Sequence, residues 1–245
     1  MHIFHQSILF FLGASIASFL YATSLRMAAN GESIMTRSRC RSCNKNLSFF
    51  QLVPVLSWIF QLGRCGCKKK ILISPYYFLS EFFLGGIFIY IGQFFGMSTI
   101  LLFWLIFTSI LFFLFLTDFM FQLLHLPTMI TGILLGLIFS IQQTLFFESF
   151  VGMVVGYFII FIPNLIFMKI KNKKGFGDGD SYLMALIGSW LGPVITIQSL
   201  VLASWIGVVI VGVYYLFSKK IIQKLPLGAL VIGSLMPLHF FIITN

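Results

Sequence analysis

The chain has three aspartates, Asp118, Asp178 and Asp180, and each lies at the end of a strongly apolar segment of membrane-spanning length. An ionised carboxylate is costly beside hydrocarbon, so an acid in such a position indicates a functional site. Two carboxylates that meet in one bundle cannot both ionise easily and tend to share one proton. The ionised member can take a proton from water while the protonated member polarises a peptide carbonyl. The sequence therefore predicts that Asp118 and Asp180 form an acid–base pair.

Asp178 and Asp180 belong to a glycine-spaced run, residues 175–180, that follows a basic loop. Glycines let the backbone pass close to a neighbouring helix or to an extended substrate. A purely structural role is also open, since a helix dipole alone favours an acid near a helix N-terminus, as at Asp180. The aspartates can also serve a transporter or proton relay, or belong to a non-catalytic assembly factor. Glu81, a third membrane acid, either tunes the site or pairs with a buried donor.

The composition is that of a polytopic helical membrane protein. The chain is 59% hydrophobic and 9% charged, with a mean hydropathy of +1.03, which excludes a soluble domain. The apolar runs are continuous rather than alternating, which argues against a barrel. We predict an all-α fold with about eight transmembrane helices, and the predicted spans are 5–25, 75–94, 98–117, 124–142, 147–168, 181–197, 199–217 and 226–243.

The basic residues are distributed unevenly. All 16 Lys and Arg residues fall within 26–70, 169–174 and 219–224, which alternating spans place on one side of the membrane. The positive-inside rule makes that side the cytoplasm and places both termini outside. No Lys or Arg precedes the first apolar run, so we predict a retained helix rather than a cleaved signal peptide. The net charge of +10 does not indicate nucleic-acid binding, because no aromatic-interleaved basic surface accompanies it.

The polar segment after the first helix carries all four cysteines, in the pairs Cys40-x2-Cys43 and Cys65-Gly66-Cys67. Four thiols in two close pairs match a tetrahedral zinc site, and a metal would stabilise a loop too short to build a core. A reducing cytoplasm disfavours disulfides. Unmetallated structural thiols and redox chemistry stay open, because the C-x-C pair is tighter than the usual zinc knuckle.

The chain divides in this interpretation into two parts. Residues 1–74 hold the first transmembrane helix and the cytoplasmic cysteine-rich region, and residues 75–245 form the helical bundle that carries the aspartates. Pairs of glycines four residues apart predict close helix packing within that bundle. These pairs are Gly132 with Gly136, Gly152 with Gly156, and Gly188 with Gly192.

Several motifs resemble those of type 4 prepilin peptidases, bacterial leader peptidases of the GxGD aspartyl protease class. The run 176–192 resembles their second aspartate motif, and Leu116-Thr117-Asp118, with a proline downstream, resembles their first. The spacing of that run to Leu183 and Trp190 places Asp180, rather than Asp178, in the catalytic register. The resemblance extends to the N-terminal cytoplasmic region of these peptidases, in residues 38–43, 53–58, 63–65 and 73–81 of this chain.

The resemblance implies an aspartic endopeptidase, with Asp118 and Asp180 as its catalytic residues. It would remove the leader peptide of prepilin or pseudopilin precursors at the cytoplasmic face of the bacterial inner membrane, as a multi-pass protein surrounded by the lipid bilayer. It also implies methylation of the new N-terminal amine with S-adenosylmethionine, linked to the cysteine-rich region. The resemblance leaves open whether the substrate belongs to a type 4 pilus, a secretion system or a competence system.

Overall fold

A computed structural model of the chain describes residues 2–28, 55, 75–171, 175, 177–219 and 225–244. Within these ranges every regular element is an α-helix, which confirms the predicted all-α class. The helices are α1 (His2–Ala28), α2 (Pro75–Phe95), α3 (Thr99–Phe121), α4 (Leu126–Gln142), α5 (Phe146–Lys171), α6 (Asp178–Ser218) and α7 (Leu227–Thr244).

Most of the described helices suit a bilayer in length and composition. Among them, five are long and apolar enough to cross a membrane, namely α1, α2, α3, α5 and α6. A spanning helix needs about 20 apolar residues, and α4 is apolar but has 17. The chain is therefore a polytopic helical membrane protein, as predicted. The number of about eight transmembrane helices and the outward position of both termini stay predictions.

The predicted sixth and seventh spans form one 41-residue element, α6, with a break inside it. The break lies at Gly192, whose φ of +75° and ψ of 177° are far from helical values and readily adopted only by glycine. Pro193 follows, and its backbone nitrogen has no hydrogen to donate in the bond that would continue the first segment. The turn predicted at Pro193 is therefore a local break between two helical segments.

The described residues cluster into two compact units, residues 1–113 and 114–245. In the first unit α1 packs against α2, with Leu84 and Phe88 fully buried. In the second unit α6 is central and packs against α4, α5 and α7. The boundary falls inside α3, so Asp118 belongs to the second unit, together with Asp180.

Glycines bring α5 and α6 into direct backbone contact. A side chain at Gly188 would overlap the backbone oxygen of Gly152, and one at Gly156 would overlap the backbone of Met184. In lipid, where the hydrophobic effect does not drive helix association, such close packing supplies much of the attraction between helices. The first segment of α6 is accordingly buried through most of its length, which gives Asp180 a rigid support.

Replacing Gly188 by alanine is expected to destabilise the bundle by about 1–3 kcal/mol, because the added methyl group meets rigid backbone rather than a flexible side chain. The measurement is the midpoint of unfolding in a series of mixed detergent micelles with increasing dodecyl sulfate. Gly212→Ala is the matched control in the same helix, since an added Cβ there has no neighbour within 4 Å. Equal midpoints for the two variants would contradict the packing role of Gly188.

Candidate active site

Asp118 lies in the last turn of α3 and is buried, with 5% of its surface exposed. Its own helix does not favour the charge, because the C-terminal end of a helix carries partial negative charge. The compensating group is the start of α7, where the Ala229 N–H donates to Oδ2 of Asp118 at 2.7 Å. The backbone of Gly228 is a second hydrogen-bonding partner of this carboxylate. The first N–H groups of a helix have no partner within it, so they are well suited to bind an anion.

Gly228 allows this contact by having no side chain. A Cβ at this position would lie 2.9 Å from Oδ2 of Asp118 and 3.1 Å from Cδ2 of Leu183. Leu183 follows Asp180 by about one turn of α6. Gly228 therefore lies between the carboxylate of Asp118 and the helix that carries Asp180.

Asp180 lies in the first turn of α6, where the glycine-spaced run forms the beginning of the helix. Gly177 is the N-cap residue, with extended backbone angles of φ −68° and ψ 145°. Its N–H donates to Oδ2 of Asp180 at 3.0 Å, and the Asp180 N–H donates to the Gly177 carbonyl oxygen at 3.1 Å. This reciprocal pair holds the carboxylate against the helix N-terminus, where the helix dipole favours negative charge.

The connection after α3 brings the two aspartates together. A Cβ at Gly179 would lie 2.8 Å from Cβ of Leu124, so the residue before Asp180 packs against the chain that leads away from Asp118. The charges of Asp118 and Asp180 lie close enough to interact. The structure thus brings the two predicted residues to one site, whereas Asp178 is exposed at the start of α6.

A role as helix-end residues accounts for only one of the two aspartates. Asp180 at a helix N-terminus is stabilised in any case by the cap and the dipole. Asp118 lies at the opposite, unfavourable end of its own helix and is more deeply buried, so it needs donors from α7. An acid kept in such a position, beside a second acid, suits acid–base chemistry in which the pair shares one proton.

Glu81 has the second of its two predicted roles, that of pairing with a buried donor. It is buried in α2, and its Oε2 accepts a hydrogen bond from the Val55 N–H at 2.6 Å. The Ser18 side chain is a further partner. Val55 has a φ of +62°, which is unusual for a β-branched residue, so the bond accompanies a strained backbone conformation at this residue. The predicted zinc ligands Cys40, Cys43, Cys65 and Cys67 lie outside the described residues.

Sequence reasoning did not identify Gly228 and Ala229, although they contact a predicted site residue directly. The sequence contains part of the signal, because Pro226 at the start of the last predicted span indicates a helix beginning, and hence free N–H groups. Which acid those groups bind depends on contacts between residues 111 positions apart, as for Ala229 and Asp118.

Two protein families match successive parts of the chain. The family described as bacterial peptidase A24 N-terminal domain matches residues 11–95, which include the four cysteines and Glu81. The model described as type IV leader peptidase family matches residues 105–212, which include Asp118 and Asp180. The start of α7, with Gly228 and Ala229, lies beyond both matches.

Curated relatives cover most of the chain. A protein of Klebsiella pneumoniae named prepilin leader peptidase/N-methyltransferase is 31% identical over 208 residues, which are 81% of this chain and 90% of the relative. A protein of the same name from Myxococcus xanthus is 30% identical over 205 residues, or 82% of this chain and 61% of the relative. One from Stutzerimonas stutzeri is 30% identical over 72% of this chain and 61% of its own length. The chain thus spans about three fifths of two of these relatives. No solved structure matches.

Proposed function

We infer that this chain, which belongs to the type IV leader peptidase family, is an aspartic endopeptidase that removes the leader peptide from prepilin or pseudopilin precursors. The observation that carries this proposal is the convergence of Asp118 and Asp180 in one helical unit, where Gly228 lies against both the Asp118 carboxylate and Leu183, about one turn after Asp180. Each carboxylate has one oxygen held by a backbone N–H. The names of the relatives, prepilin leader peptidase/N-methyltransferase, give the class of substrate.

The proposed reaction uses the pair with one shared proton. The ionised carboxylate takes a proton from a water molecule, and the oxygen of that water attacks the scissile carbonyl carbon. The protonated carboxyl donates to the carbonyl oxygen and stabilises the charge that develops there. The tetrahedral intermediate then collapses, the C–N bond breaks, and the leaving amine takes a proton from the pair. The bonds from Ala229 and Gly177 hold one oxygen of each carboxylate, which pre-organises both groups before substrate binds.

We place the site at the cytoplasmic side of the bacterial inner membrane, with both termini outside. Support comes from the basic segments, because residues 169–174 directly precede the glycine run that leads to Asp180. A basic leader would face these lysines with like charge, so we expect the apolar part of the precursor, rather than its leader, to provide most of the binding.

We propose a second activity, methylation of the newly exposed N-terminal amine, with S-adenosylmethionine as the methyl donor. The names of the relatives include an N-methyltransferase. The cysteine-rich region lies within the part of the chain that matches the N-terminal domain of the family. In this proposal Cys40, Cys43, Cys65 and Cys67 bind one structural zinc ion, since four thiolates are a common ligand set for tetrahedral zinc. The zinc ion would stabilise this region rather than act in catalysis.

Asp118→Asn and Asp180→Asn are each expected to abolish leader removal, with at least a roughly thousandfold loss of rate. Asparagine keeps an oxygen that accepts the Ala229 or Gly177 N–H, so both variants should remain folded in the membrane. Asp178→Asn is the matched control and should retain most activity. The measurement is the mass shift of a purified type 4 prepilin on loss of its leader. Normal cleavage by either of the first two variants would contradict the proposed pair, and ion-dependent uptake lost in the same variants would favour a transporter.

Gly228→Ala is expected to lower the rate of leader removal by about tenfold to a hundredfold, because displacement of a catalytic group by about 1 Å has effects of this size. The added methyl group would lie 2.9 Å from Oδ2 of Asp118 and would displace this carboxylate from Ala229. Gly233→Ala in the same helix is the control, since an added Cβ there has no neighbour within 4 Å. Equal rates for the two variants would show that the start of α7 does not position Asp118.

Cys40→Ser is expected to remove bound zinc and N-methylation while leader removal continues. A tetrahedral site that loses one of its thiolates binds zinc more weakly. The measurements are the zinc content of the purified protein, expected at about one ion per chain in the wild type, and the mass of the mature pilin N-terminus. An unmethylated product from the wild type would refute the second activity, and a zinc-free wild type would refute the metal site.

A further inference from the structure

A buried amide lies in α5, at a place where an apolar side chain would be less costly. Asn164 is only 8% exposed and follows Pro163, inside a helix that is otherwise strongly apolar. A buried amide without hydrogen bonds is costly, so its partners identify its role. Its Oδ1 accepts a hydrogen bond from the Gly175 N–H at 3.0 Å, across the connection from α5 to α6.

Gly175 is held to α5 by a second contact. A Cβ at Gly175 would lie 3.1 Å from Cδ1 of Phe167, so its backbone passes close to this ring. Asn164 and Phe167 are three residues apart and therefore lie on the same face of α5. The hydrogen bond and the ring together fix the position of Gly175 against that face.

This contact lies directly before the turn that carries Asp180. Two residues after Gly175, the Gly177 N–H donates to Asp180 and the Gly177 carbonyl accepts from it. The pairing of α5 with α6 does not need Asn164, because glycine contacts such as Gly152 with Gly188 already bring the two helices together. Those glycine contacts do not fix the path of the chain into the first turn of α6.

We propose that Asn164 is a positioning residue for Asp180, acting through Gly175 and Gly177 on the orientation of that carboxylate. The proposal rests on the proposed function, since the orientation of Asp180 matters most if Asp180 takes part in peptide hydrolysis. In this proposal Asn164 affects catalysis without contacting the substrate. A loss of this bond should lower the rate of the chemical step more than the binding of the precursor.

The test compares Asn164→Leu, which has a similar volume and no acceptor, with Asn164→Asp, which keeps an oxygen at the same place. Both are assayed in detergent micelles against a panel of purified type 4 prepilins that carry their leaders. For Asn164→Leu we expect kcat to fall about tenfold to a hundredfold with KM within about twofold of wild type, and Asn164→Asp should recover much of kcat. Ser149→Ala, another buried polar residue of α5, is the control and should keep the wild-type kcat.

A second measurement separates positioning from general loss of structure. Hydrogen exchange of the peptide that contains the Gly175 amide should be faster in Asn164→Leu than in wild type, while exchange across α6 at 183–190 should not change. A wild-type kcat in Asn164→Leu, or faster exchange throughout α6, would overturn the proposal. A wild-type protein that cleaves no prepilin would refute the proposed function instead, and faster exchange at Gly175 alone would then still support the contact made by Asn164.

Discussion

The structure of the site depends on the cost of keeping a carboxylate inside an apolar helical bundle. Such a group needs hydrogen-bond donors, and within hydrocarbon most of the backbone donors are already used inside helices. The unused ones lie at helix N-termini or outside the helices, so a buried acid must lie near one of these places. Asp180 uses the start of its own helix, whereas Asp118 uses the start of α7. This requirement explains why α7 begins beside the end of α3. It also explains why residue 228, next to the Asp118 carboxylate, is a glycine.

Glycine has a related role in the support behind the site. Between α5 and α6, glycines allow backbone contact and keep the first segment of α6 in a fixed position. At Gly179 and Gly228, they allow Leu124 and the carboxylate of Asp118 to approach. The same residue type thus provides rigidity away from the aspartates and close approach beside them. Neither effect depends on a strong individual interaction. The positions of the two carboxylates are therefore fixed by contacts among several helices.

The sequence alone predicted the features that depend on residues close together in the chain. Apolar runs of membrane length predicted the helices, the glycine run predicted the start of α6 near Asp180, and Pro193 predicted the interruption of α6. Features that depend on contacts between distant residues were not predictable. The donor for Asp118 lies 111 residues away, and the donor for Glu81 lies 26 residues away, so periodicity and spacing could not choose among the possible partners. The donor that pairs with Glu81 was identified only by the position of Val55.

The interruption at Gly192 has a consequence for how the protein fits its membrane. The segment before it, with Asp180, is buried through most of its length, whereas the segment after it exposes large apolar side chains such as Val201, Trp205 and Val208. A long apolar helix adjusts to a thicker or thinner bilayer by tilting. Because the helical geometry is interrupted at Gly192, the segment after it can differ in tilt from the segment before it, which packs against α5. The second segment is bonded to α7, whose Ser234 hydroxyl donates to the Ser199 carbonyl oxygen, and α7 begins with the donor to Asp118. A change in bilayer thickness that tilts this segment is therefore expected to reach the Asp118 carboxylate through α7.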